Sequence, residues 1–141
     1  MADASIFWPM LAQIAWTFFL YAWLTVARQR AVKQGKVEYA CFALSRDEPQ
    51  EIARITRNLA NQFELPVIFY ALIILLSARG RVASVDVIAA WAFVVGRVIH
   101  TLVQTLTDDV PLRGRVFMIN FLAVVVLTAH VTWLVIEGVG Q

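Results

Sequence analysis

VFMINFLAVVVLTAHVTWLVI, residues Val116–Ile136, runs for 21 residues without an Asp, Glu, Lys or Arg. Crossing a hydrocarbon core of ~30 Å takes about 20 helical residues, so this stretch alone is long enough to span a membrane. Working back toward the N-terminus, three further runs match it in length: Val82–Leu106, Leu59–Ala78 and Ser5–Val26. Together the four use most of the 141 residues. Lipid offers a backbone no hydrogen-bond partners, so each run must cross as a helix. The expected fold is all-α, an integral membrane four-helix bundle. One domain is expected over residues 1–141, with spans at about 5–26, 59–78, 82–106 and 116–136.

Composition supports this. Apolar residues make up 60% of the chain and charged residues 16%, where a soluble domain carries roughly a quarter charged. The charges crowd into Arg28–Arg57, Arg79–Asp86 and Asp108–Arg115. The first span does not read as a cleavable signal, since no basic residue precedes Ile6 and no small-residue cleavage site follows Val26. It is expected to remain as a helix.

Lys and Arg also give the orientation. The first connection carries Arg28, Arg30, Lys33, Lys36 and Arg46, and the third carries Arg113 and Arg115. The second has only Arg79 and Arg81, and the terminal tails have none. The positive-inside rule puts connections one and three in the cytoplasm and both termini outside. Trp8 and Trp133 then fall near the outer interface and Trp23 near the inner one. The net charge of +2 comes with no basic groove of interleaved aromatics, so nucleic acid is not an expected partner. Cys41 is the single cysteine, and His100 and His130 lie on separate helices, so no metal site is expected.

The second helix is expected to begin before it enters the bilayer. Ser45-Arg46-Asp47-Glu48 fits a capping box, with Pro49 in the first turn. Glu51–Leu65 reads as a polar helical stretch, and Pro66 should loosen the helix and free a carbonyl near residue 62.

Polar residues gather at the cytoplasmic ends of three helices. Arg54, Arg57, Asn61 and Glu64 form one stripe on the second, at spacings of three, four and three. Arg97, His100 and Gln104 do the same on the third, with Thr101 beside them, and Arg113, Phe117 and Asn120 follow on the fourth. Ionisable groups inside a membrane are costly and tend to face protein. Glu64 and Arg97 are therefore expected to pair. A structural lock needs only one such pair, and the surplus cations point to an anionic ligand. His130 reads as a core histidine bonded to a neighbour, Asn120 as an interhelical hydrogen-bond residue, and Ala92-x-x-x-Gly96 as a site of close helix approach.

Arg57-x-x-x-Asn61-x-x-Glu64, followed by a proline and an apolar helix, resembles the second-helix motif of the MAPEG family (membrane-associated proteins in eicosanoid and glutathione metabolism). Gly96-Arg97-Val98-Ile99-His100-Thr101 and Pro111-Leu112-Arg113 fit the same pattern. The resemblance covers nearly the whole chain. It implies a homotrimer with glutathione, as co-substrate, bound between subunits near the cytoplasmic face. Carried over by position, the glutathione contacts would be Arg28, Arg57, Asn61, Glu64, Arg97, His100 and Gln104. Arg113 would hold the thiol as thiolate for attack on a lipophilic electrophile or lipid hydroperoxide. The implied setting is a bacterial-style inner membrane or an equivalent internal one. Where catalytic members often carry tyrosines, this chain has Leu65, Gln104 and Phe117. A noncatalytic lipid- or partner-binding protein on the same scaffold is therefore the alternative, and a small transporter using Glu64 and Arg97 is a third reading.

Overall fold

The computed structural model describes residues 5–43 and 47–139. Five α-helices build four long, apolar rods: α1 (Phe7–Lys33), α2 (Gln50–Ala60) continued by α3 (Leu65–Ala78), α4 (Ser84–Leu106) and α5 (Val110–Val139). Each rod is long and apolar enough to cross a membrane.

The first and fourth rods outrun the apolar stretches that announce them. α1 continues past Val26 to Lys33 and ends where Gly35 takes a φ of +67°. There the Gly35 and Lys36 N–H groups bond back to the Val32 and Ala31 carbonyls at 2.9 and 3.0 Å, closing the helix in a Schellman turn. α5 starts at Val110, six residues before Val116, because the Asp109 carboxylate accepts from the Leu112 N–H at 2.7 Å.

The start of α2 differs from expectation. The helix begins at Gln50, after Pro49, with no side-chain cap. Ser45 lies outside the described residues, and Glu48 does not fold back onto a helix end. Instead it pairs with Arg28 and accepts from Thr56 Oγ1 at 2.6 Å. An ion pair to α1 has replaced the local cap.

Between α2 and α3 the second rod tightens into a 3-10 turn over Asn61–Phe63 and breaks at Glu64, whose φ and ψ are −100° and −104°. Pro66 in the first turn of α3 has no N–H to continue the ladder. The expected kink is present, as a full interruption.

Two apolar cores hold the bundle. Phe69, Leu72, Ile73 and Leu76 of α3 pack against Ala90, Phe93 and Val94 of α4 and Val124 and Leu127 of α5. Their spacing of three and four keeps each set on one helical face, and Phe69 stacks on Phe93 with ring centres 4.3 Å apart. A second core joins Leu20 and Leu24 of α1 to Ile52, Ile55 and Leu59 of α2. The outward faces stay apolar, with Phe18, Ile74, Ile88, Leu102 and Ile136 all exposed. Such a surface suits lipid rather than water.

α4 and α5 pack tightly at Gly96, where a Cβ would lie 2.2 Å from Asn120 Oδ1. The close approach expected of Ala92-x-x-x-Gly96 is thus realised at its glycine. Asn120 is fully buried, but neither end of its amide finds a hydrogen-bond partner among the described residues. It acts as a packing side chain over Gly96, not as the interhelical bond expected of it. In the first turn of α4, buried Asp86 accepts from the Ala83 N–H at 2.8 Å. His130 Nδ1 lies 2.9 and 2.8 Å from its two oxygens, the bonded neighbour expected for this histidine.

Candidate functional site

The polar stripes meet at the end of the bundle where α2 begins, α4 ends and α5 begins. Arg54 and Arg57 of α2, Gln104 of α4 and Arg113 of α5 line one cleft of about 230 Å³. Arg54 pairs with Asp108 in the α4–α5 connection, strapping α2 to it across the cleft wall. Three arginines face Asp108 and Asp109 there, so the lining keeps a positive balance.

Beneath the cleft runs a buried amide network. Gln104 Oε1 accepts from Asn58 Nδ2 at 3.0 Å and from Asn61 Nδ2 at 3.2 Å. Thr101 Oγ1 donates to Asn58 Oδ1 at 2.9 Å and accepts from Trp16 Nε1 at 3.3 Å. Gln62 Nε2 donates to the Asn58 carbonyl at 3.0 Å, while Gln62 Oε1 accepts from Gln13 Nε2 at 2.9 Å. Buried amides in an apolar setting must find partners, and here each partner sits on another helix or one turn away. The network fixes the α2, α4 and α1 faces relative to one another, and with them Asn61.

Arg97 lies two turns deeper than Gln104 on α4 and is almost wholly buried. Among the described residues it forms no ion pair with Glu64, contrary to expectation. Its Nη2 donates instead to the Asn61 carbonyl at 2.7 Å. The break before Pro66 leaves carbonyls without helical N–H partners, so a neutral acceptor lay nearer than the carboxylate. The carbonyl used is at residue 61, one before the position expected to be freed. Glu64 sits at the break with its side chain exposed.

His100 is buried one turn below Gln104, with its ring edge-on to Phe117 at 6.2 Å and Nδ1 unpartnered among the described residues. Arg28 is not part of this gathering. It pairs with Glu48, donates to Thr56 Oγ1 at 3.2 Å and lies over the Phe42 ring at 5.0 Å. It lines a separate cavity of about 370 Å³ with Thr25, Thr56 and Phe63.

One chain therefore brings Arg57, Gln104 and Arg113 to a shared cleft, ties Asn61 to its floor and places His100, then Arg97, below. Glu64 stays on an outer face, and Arg28 stays half-buried beside Glu48. Sequence reasoning missed Asn58, Gln62 and Gln13. Gln13, an uncharged polar residue inside the first apolar run, was the available signal that a buried amide partner exists across the bundle. Among the described residues, no three His, Cys, Asp or Glu side chains gather so as to hold a metal ion.

Four rods long and apolar enough to cross a membrane, with a basic, amide-floored cleft at one end of the bundle, define a multi-pass membrane protein. The chain belongs to the MAPEG family, whose model matches residues 6–133. No curated protein and no solved structure matches it.

Proposed function

We propose that the chain is a glutathione-dependent transferase or peroxidase acting on lipophilic electrophiles or lipid hydroperoxides, working as a homotrimer. The observation that carries this is the cleft itself, where Arg57, Gln104 and Arg113 from three helices converge over a fixed Asn61. Glutathione is an anionic tripeptide, and guanidinium groups suit its carboxylates. At about 230 Å³ the cleft is smaller than the roughly 300–1,000 Å³ of a pocket that encloses a small ligand. A neighbouring subunit would complete it, which gives the exposed Glu64 and the half-buried Arg28 a role at the shared boundary.

In this reading Arg113 stabilises the thiolate. A free thiol has a pKa of ~8.5, and each unit of lowering is worth about 1.4 kcal/mol of preference for the anion. The thiolate sulfur attacks the electrophilic carbon, a carbon–sulfur bond forms and the leaving group departs with the electron pair. The basic end faces the cytoplasm and both termini lie outside, by the distribution of Lys and Arg. A bacterial-style inner membrane or an equivalent internal membrane is the proposed setting. All four spans and the site form a single domain.

A noncatalytic binding protein on the same scaffold is the second reading. It is favoured by Phe117, which packs against His100 and brings no hydroxyl, and by Leu65 beside Glu64.

The test is a titration of the purified protein in detergent with glutathione, following thiolate absorbance, then addition of an aryl halide and a lipid hydroperoxide. Thiolate formation is expected. Arg113→Ala is expected to abolish it and to slow turnover about 100-fold, the scale of losing one anion-stabilising donor. Binding without thiolate or turnover would favour the second reading. Failure to bind glutathione at all would remove both.

A further inference from the structure

A second cavity, of about 590 Å³, opens on the other face of α2 and touches the first only at Gln50. Trp23 of α1 and Ile52 and Ile55 of α2 form the apolar part of its wall, beside Gln34, Gln50 and Thr105. Its rim carries Arg30 and Lys36 against one acid, Glu51. Both cations are exposed, and neither is in an ion pair among the described residues. Seven helical residues separate Trp23 from Arg30, about 10 Å at 1.5 Å per residue. Trp23 therefore lies further toward the bilayer than the cations, a tryptophan of the kind that favours the boundary.

We propose that this cavity binds an anionic phospholipid from the leaflet on the basic side of the bundle. The headgroup phosphate lies between Arg30 and Lys36, and an acyl chain lies along Trp23, Ile52 and Ile55. A soluble anion has no use for the apolar wall, and a zwitterionic lipid has no use for a net positive rim. The proposal requires the chain to sit in a membrane but uses none of Arg57, Gln104 or Arg113, so it is independent of glutathione.

Trp23 serves as the reporter. The full chain is reconstituted in phosphatidylcholine vesicles containing brominated phosphatidylglycerol, or brominated phosphatidylcholine at the same fraction. The Trp23 signal is isolated by difference from Trp23→Phe. Phosphatidylglycerol is expected to quench Trp23 at least threefold more strongly. The double variant Arg30→Gln, Lys36→Gln is expected to erase that preference, with circular dichroism and glutathione binding unchanged. Lys33→Gln, an equal loss of charge outside the cavity, is expected to keep the preference, and Glu51→Gln to strengthen it. Equal quenching by the two lipids, or a preference that survives the double variant, would overturn the proposal. So would loss of the preference in Lys33→Gln, which would mark bulk attraction. Relief by millimolar inorganic phosphate would reveal a site for free anions instead. Absence of quenching by either lipid would show the cavity closed by protein, such as a second copy, and would equally defeat it.

Discussion

At Gly96 the hydrogen side chain sets how closely two helices pack. An added methyl would meet Asn120 Oδ1 at 2.2 Å, and that amide is fully buried. Gly96→Ala is expected to destabilise the protein by about 1–3 kcal/mol through overpacking. Because the severe obstacle is Asn120, with Ile119 Cγ2 next at 3.3 Å, Asn120→Ala should recover most of the loss in the double variant. Thermal unfolding of the four proteins in detergent measures the coupling, and strictly additive losses would contradict it. Gly96 and Asn120 are each conspicuous in the sequence, one as a small residue and the other as an amide in an apolar run. That they oppose one another is not, because it depends on the relative rotation of α4 and α5. The same gap hid Asn58. Its spacing from Arg54 and Asn61 places it on the polar stripe, but only the packed bundle shows that it faces Gln104 and Thr101.

The interrupted second rod is the element on which the site turns. Pro66 signals a disturbance in the helix, and the break falls beside it. The consequence for Arg97 is not legible in the same way, because choosing between the Glu64 carboxylate and the Asn61 carbonyl depends on where the broken backbone leaves each. Pro66→Ala restores an N–H able to bond to the Gln62 carbonyl. Residues 61–65 are then expected to rewind and take the Asn61 carbonyl away from Arg97. Hydrogen exchange should show greater amide protection at residues 64–67. Glutathione affinity should fall about tenfold, equivalent to about 1.4 kcal/mol. Unchanged protection and affinity would mean that Arg97, not the proline, maintains the break.

For the whole molecule, the number of spans is the plainest message of the sequence, because apolar length is set by the bilayer itself. The extent of the helices is less plain. α1 runs on to Lys33 because a helix outside the hydrocarbon needs no apolar residues, and Gly35 was the signal for its true end. Orientation can be tested with the natural sequence, since Cys41 is its one cysteine and lies in the basic first connection. A membrane-impermeant maleimide is expected to label it only from the cytoplasmic side, and labelling solely from the outer side would invert the topology. Partial desolvation pushes the Cys41 thiol up, and Glu48 and Asp47 push it further. A raised thiol has less thiolate at a given pH, so labelling at neutral pH should lag behind that of a small free thiol. The gap should narrow as pH is raised through the thiol range. The Asp86–His130 fastening lies toward the end of α4 and α5 remote from Arg113, and residues 107–109 tie the same two helices together at the cleft end. The two helices thus form a frame whose rails are joined at both ends. Such a frame resists splaying, so any widening of the cleft for a bulky guest falls to its third wall, α2.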